Sequence, residues 1–545
     1  MPFRPSCKPS ARSVLSLFAL PLFALPLFAL LLLAGCAAPP AAPRKPAAQP
    51  YVWVQMAPDR AADGAALGHA PGQLIARALL PAGGACPDIE LTGTGGSRRE
   101  AMHERAPSTR ADFPSSFCEF RYDGRLSARI GDTVLPRRPE RLQRILVIGD
   151  TGCRLVYYLI PGGQQDCNDP DSWAFGAVAA AAARLGEEKP FDLIVHVGDY
   201  HYREAPCPDS LPGCAGSPWG DREPAWRADF FEPARPLLAM APWVFVRGNH
   251  ETCARAGTGF LQLLAADYRD GGPPPQGCKD DTAPYWLDSA DLDLLVLDSA
   301  DAGDAYGTAK RAELYGDWMK RALDGAERDK TRWLLLHHPL WFWPGKGAPD
   351  LTAMGAATTL NTVASAVARA AADPRAPAFE QVLAGHVHLF AAIAPEKPLA
   401  GGRRLPWLGV YGAAGTKEDR PKDFKGLPAW GPRATLADGP ERLNLPMTVG
   451  APAYDAPPTG RRLPPFDLSG LLPFQTLPYP PARKQPAPPA PFGARTSLSF
   501  DFGFAVIERG PAGSEIDYYG RDGKPELACK VRAAVGKDAP CLPAG

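Results

Sequence analysis

The chain has 545 residues with 59 basic and 59 acidic side chains, so its formal net charge is zero. That balance excludes a bulk electrostatic case for nucleic-acid binding, and no such partner is evident; pairs such as Arg137-Arg138 and Arg403-Arg404 read as solvated surface. Of the 12 cysteines, setting aside Cys7 and Cys36 leaves ten, an even number suited to an oxidising compartment.

In chain order, Arg4, Lys8 and Arg12 precede an apolar run from Val14 to Leu33, which ends in Leu33-Ala34-Gly35-Cys36. The pattern resembles a bacterial lipoprotein signal. It implies a signal peptide over 1–36, membrane attachment through a lipidated Cys36 and, with Ala37 rather than Asp next, an outer-membrane location facing the periplasm. An uncleaved spanning anchor is the alternative, weakened by Pro21 and Pro26. Residues 37–50 form an Ala/Pro tether. Short alternating runs between Gly, Pro and Asp turns over 51–140 predict a small all-β domain of immunoglobulin or fibronectin type, with a structural role. From 141 to 535 strands alternate with helices, which predicts a layered α/β fold. Within it, 419–495 is too proline-rich for regular elements and reads as an insertion; 536–545 is a C-terminal tail. Nearest-neighbour pairing of the cysteines would staple loops locally, as Cys86–Cys118, Cys153–Cys167, Cys207–Cys214, Cys253–Cys278 and Cys529–Cys541. Spacing of the CxxC kind is absent from the sequence, which argues against a thiolate metal site.

Polar residues recur where the apolar runs end: Gly149-Asp150, Gly198-Asp199, Gly248-Asn249-His250-Glu251, His337-His338 and Gly385-His386-Val387-His388. Strand ends bring such residues to one sheet edge, and mixed oxygen and imidazole donors suit Fe, Zn or Mn. Two such ions sharing a carboxylate can clamp both oxygens of an in-line phosphoryl displacement.

The ordered set resembles the calcineurin-like metallophosphoesterase superfamily from Arg144 to about Gly415, and within it the purple acid phosphatases. Those enzymes also lack a histidine in the first motif, here Gly152, and place a tyrosine from GDxxY on a ferric ion; Gly198-Asp199-Tyr200-His201-Tyr202 puts Tyr202 there. The resemblance implies a metallophosphoesterase β-sandwich flanked by helices. It also implies two metal ions, Fe3+ plus a divalent Fe, Zn or Mn. Asp150, Tyr202 and His388 would hold the first, Asn249, His337 and His386 the second, and Asp199 both. His337 is preferred to His338 on the family's VxxH spacing, and His201 is the alternative ligand should Tyr202 turn away. The implied activity is hydrolysis of phosphomonoesters by a metal-bound hydroxide, with His250 as acid or phosphate ligand. Arg203 is a candidate phosphate grip, with an ion pair to Glu204 the competing reading. The aspartate that partners the catalytic histidine in serine/threonine phosphatases is missing at position 202, which leaves open what orients His250. Trp341, Phe342 and Trp343 read as core rather than pocket wall. A phosphodiesterase or nucleotidase is the alternative activity, and a non-catalytic envelope binding protein is the alternative of another class.

Overall fold

The computed structural model describes residues 49–58, 73–106, 111–156, 164–267, 277–302, 309–327, 329–341, 350–351, 358–395, 403–417, 443–449, 492–511, 513–531 and 541–544. The signal segment with Cys36, most of the tether, Phe342, Trp343, most of 419–495 and most of the C-terminal tail lie outside them. No described helix is long and apolar enough to cross a membrane.

Five strands carry the candidate ligands at their C-terminal ends: β1 (Arg144–Ile148), β2 (Leu193–His196), β3 (Trp243–Phe245), β4 (Thr331–Leu335) and β5 (Gln381–Ala384). β1, β2 and β3 run parallel in one sheet, and β4 and β5 run parallel in another. Residues of a strand alternate between faces, and the packing follows that period. Ile145 and Val147 of β1 join Leu335 of β4 and Leu383 of β5 in the core between the sheets. Leu146 and Ile148 face outward onto the helix Phe175–Glu188, and Leu334 and Val382 face the helices Ala309–Asp324 and Thr358–Ala372. The result is helix, sheet, sheet, helix, the layered α/β arrangement expected. Strands buried on both faces read as continuous apolar runs, which is why the motifs stood out at their ends.

The N-terminal segment is all-β, but its strands do not close into a separate sandwich. Tyr51–Ala57 runs parallel to β3 with Gln55 opposite Trp243, and Gln73–Leu79, Phe117–Tyr122 and His103–Ala106 continue the same sheet outward. Asp88–Gly93, Gly96–Ala101, Ser127–Ile130 and Thr133–Leu135 form a four-stranded sheet of their own. Two fully buried arginines fasten this region to the loop after helix Gly257–Leu263. Arg105 donates to the carbonyl of Gln262 at 2.9 Å, Arg77 to that of Ala265 at 2.7 Å, and both meet the buried carboxylate of Glu119. They satisfy carbonyls that a helix C-terminus leaves unpaired.

Inside the span read as irregular, Leu443–Val449 is a strand that pairs with Phe492–Ser499 in the second large sheet. This stretch, LNLPMTV, holds a single proline and lies outside the proline-densest part of the insertion, so the composition that argued against strands does not apply to it. All five disulfides join nearest neighbours in sequence, as the spacing suggested.

Candidate metal centre

The loops after β1 to β5 converge. Asp150, Asp199 and His386 all adopt left-handed backbone, with φ of 53°, 61° and 72°. For residues bearing a Cβ this costs roughly 1–3 kcal/mol each, so the surrounding bonds must hold it. They do: Asp150 N–H donates to the Gly198 carbonyl, Thr151 N–H to the Asp199 carbonyl, and His386 N–H to the Asp150 carboxylate at 3.0 Å. The strongest bracket is Glu251. Its buried carboxylate accepts from the backbone N–H groups of Asp199, Tyr200, His201 and Gly248, at 2.9 to 3.1 Å.

Two groups of donor atoms share Asp199. In one, Asp199, His337 and His386 present atoms within 4.8 Å of one another; in the other, Asp150, Asp199 and His388 do the same. Tyr202 enters the second group: its hydroxyl donates to Asp199 Oδ2 at 2.6 Å and lies 2.7 Å from His388 Nε2. Asn249 enters the first, with Oδ1 2.9 Å from His337 Nε2 and 3.0 Å from His386 Nδ1. The seven residues named as ligands from sequence are thus brought together.

The donor set fits cations. His388 Nδ1 faces the Lys417 carbonyl and His337 Nδ1 the Val197 carbonyl, both at 2.8 Å, so each Nδ1 carries a proton and each Nε2 faces the centre. Tyr202 has one proton for two acceptors, Asp199 and His388, and a cation resolves that shortage. Asn249 poses the same choice. Turned over, its amide nitrogen donates to His337, His386 and Asp199, and its oxygen accepts from Arg255 Nη1 at 3.3 Å. Nitrogen inward offers two N–H groups to these three atoms, whereas oxygen inward is the ligating orientation. Burial alone would raise the Asp199 carboxyl, but the imidazoles of His337 and His250 hold it well below the usual carboxylate range. Burial likewise lowers His337, yet the Asp199 charge outweighs it and raises the imidazole to about 9. A cation therefore competes with a proton at this ring. Burial, followed by the Asp199 and Asp150 charges, raises the Tyr202 phenol far above its ordinary value, so only a strongly acidic cation would ionise it.

Gly152, where the family's histidine is missing, is filled by its neighbour. A Cβ there would lie 2.7 Å from the Tyr202 nitrogen, 2.8 Å from the Tyr200 carbonyl oxygen and 3.0 Å from the Tyr202 ring. The two shortest contacts are to backbone, so the path of the Tyr200–Tyr202 segment itself excludes a side chain at 152, and the Tyr202 ring adds only the third contact.

Residues 143–390 match the sequence profile of the family described as calcineurin-like phosphoesterase. Over that span the chain is similar to a calcineurin-like phosphoesterase domain. Among solved structures it is similar to a purple acid phosphatase from yellow lupin (Lupinus luteus) seeds, at 12% identity and TM-score 0.46 over 88% of this chain and 73% of that one. It is similar to PhoD at 11% identity and TM-score 0.45, over 90% and 92% of the two chains. It is also similar to a dimetal phosphatase from Danio rerio at 10% identity and TM-score 0.36, over 72% and 99%. Comparison with curated proteins gives no match. At such identities no residue role is transferred.

The geometry reassigns Arg203 and Glu204 around the candidate metal centre. Arg203 is not beside the metal ligands: its Nε donates to the buried Asp229 at 2.5 Å and its guanidinium lies over the Trp173 ring, so the side chain is 4% exposed. Glu204, the competing partner considered for Arg203, instead accepts from His250 Nδ1 at 2.7 Å and from Arg255 Nε at 2.6 Å. It supplies the partner for His250 that position 202 lacks. The His250 ring lies against that of Tyr202, tilted by 31° with centroids 3.5 Å apart, and its backbone N–H donates to Asp199 Oδ1. Burial and then the Arg255 charge lower its imidazole to about 4. His201 turns away, to the Gly220 carbonyl and the Trp226 ring, and His338 packs against His386. Trp341 belongs to the core beneath the second sheet. Glu251 and Arg255 had no role in the sequence reading, and Glu204 entered it only as a partner for Arg203; of the three, Glu251 alone sits in a quoted motif.

Proposed function

We propose that this chain is a dinuclear-metal phosphoesterase that hydrolyses phosphomonoesters, of purple acid phosphatase type, attached to the cell envelope through Cys36. The observation that carries the reading is the Tyr202 hydroxyl between Asp199 and His388. Asp150, Tyr202 and His388 would hold a ferric ion; Asn249, His337 and His386 would hold a divalent Fe, Zn or Mn; Asp199 would serve both. When bound, such ions supply activation of water and neutralisation of phosphoryl charge.

The chain's own groups do the rest. Glu251 fixes the backbone of the loop that presents Asp199. Glu204 holds His250 by Nδ1, leaving Nε2 3.9 Å from Asp199 Oδ2 and facing the reaction side. When protonated, Nε2 can donate to a substrate oxygen or give its proton to the leaving group. Because His250 is lowered to about 4, that protonated form is populated mainly at acid pH. Five disulfides, one of them between Cys253 and Cys278 on the loop beyond His250, support an oxidising compartment such as the periplasm.

The test is a visible spectrum and metal analysis of the purified chain beginning after Cys36, with p-nitrophenyl phosphate and its bis ester as substrates. A tyrosinate-to-ferric band, about two metals per chain and preference for the monoester are expected. A colourless two-metal protein would remove iron from Tyr202, and preference for the diester would replace the phosphomonoesterase with a phosphodiesterase. A cellular role undisturbed by Asp199→Ala would remove catalysis altogether.

A further inference from the structure

The arginine that sequence order suggests as a phosphate grip, Arg203, is locked behind the site, but a different arginine stands in front. Arg255 lies four residues past Glu251, outside every motif, on the loop that begins with Asn249. Its Nε donates to Glu204 at 2.6 Å, and its Nη2 lies 2.7 Å and 2.9 Å from the two ring nitrogens of His250. Those two contacts are not two hydrogen bonds. His250 Nδ1 already gives its proton to Glu204, and an atom nearly equidistant from both nitrogens rests against the ring rather than in line with a lone pair. The guanidinium is therefore held by one strong ion pair while its terminal N–H groups have poor acceptors among the described residues. Nη1 is 3.3 Å from the Asn249 amide oxygen when that amide is turned over, which sets the fork beside a candidate metal ligand. The side chain is 30% exposed, whereas Arg203 is 4% exposed, so a solute can reach it.

We propose that Arg255 grips the phosphoryl oxygens of the substrate, and of the orthophosphate product, at this centre, with Glu204 as the strut that aims it. Rigid, planar donors with weak partners beside a candidate two-cation site match the tetrahedral oxyanion of a phosphate monoester. Glu204 then acts on two groups at once, His250 and Arg255, and is a positioning residue. The proposal rests on the phosphoesterase reading for its substrate but not for its ligand, since orthophosphate binding is measurable without turnover.

The experiment compares wild type, Arg255→Met and Arg255→Lys, each with its metal content and melting temperature measured. Titration calorimetry with inorganic phosphate gives the affinity, and steady-state kinetics with p-nitrophenyl phosphate separates KM from kcat. For Arg255→Met, phosphate binding weakened by about 10- to 100-fold at unchanged metal content is expected, from the loss of a charge-assisted contact. Arg255→Lys should recover part of it, as a charge without the fork. Unchanged phosphate affinity in Arg255→Met, or a loss of affinity that tracks loss of metal, overturns the proposal. If the wild type binds phosphate through Arg255 but hydrolyses no ester, the phosphoesterase reading fails and the grip stands. If the wild type does not bind phosphate at all, the grip fails too.

Discussion

Glu251 is the residue on which the geometry of the centre most depends, and Glu251→Gln tests that. Oε1 accepts from Tyr200 N and His201 N, and Oε2 from Asp199 N and Gly248 N. An amide keeps one acceptor oxygen and turns an NH2 group toward the other two donors, so two bonds are lost and donors are set against donors. Hydrogen bonds to a charged group contribute about 1.5–3 kcal/mol each, so the loss is about 3–6 kcal/mol. That is a large part of the ~5–15 kcal/mol stability of an ordinary domain. The opposing consideration is protonation: burial, then the Asp199 charge, raises this carboxyl. A protonated carboxyl would itself place an O–H among N–H donors, and the glutamine would then replace it at little cost. Four donors and no acceptor around the group argue for the carboxylate. Urea unfolding of both proteins at pH 7 with chelator present, followed by circular dichroism, decides. A destabilisation under about 1 kcal/mol would refute the bracket, because it would mean that neutral and charged forms are equivalent there.

Three further outcomes follow from the same contacts. Arg203→Met removes the charged partner of the buried Asp229, which keeps three backbone N–H donors, and should cost about 1.5–3 kcal/mol in urea unfolding while leaving the phosphate affinity of the folded fraction unchanged; a selective loss of phosphate affinity would return Arg203 to the site. Gly152→Ala drives a Cβ into the Tyr202 backbone and should cost about 1–3 kcal/mol and displace the phenol, read as a lower melting temperature and a shifted or lost visible band; an unchanged spectrum and melting point would show that the turn accommodates a side chain at 152. Glu508 accepts from Lys189 at 2.8 Å and pairs with Arg144; burial would raise its carboxyl, but these cations hold it below its ordinary range. A depressed carboxyl stabilises the fold above its unfolded value and loses that contribution as pH falls through the folded one, so Glu508→Gln should flatten the acid limb of melting temperature against pH, and an unaltered limb would count against it.

The sequence by itself carried the parts of this protein that are local. Apolar runs of four or five residues marked strands buried on both faces, and the polar residues closing them could only lie at one edge of the sheets. Asp150, Asp199, Asn249, His337, His386 and His388 were therefore legible as a cluster from the sequence alone. Closely spaced cysteines likewise limited which loops could be stapled. What the tertiary structure decided were partnerships between residues whose spacing carries no signal. Glu204 meets Arg255 and His250 across about fifty intervening positions, and Arg203 turns to Asp229 because adjacent residues of an extended segment point to opposite sides. The N-terminal strands read correctly as strands, yet nothing in an alternating pattern says which edge they will join; Tyr51–Ala57 lies beside β3 because that edge was open and its apolar face needed cover. Periodicity fixes the face a residue shows, and only packing fixes what it meets there.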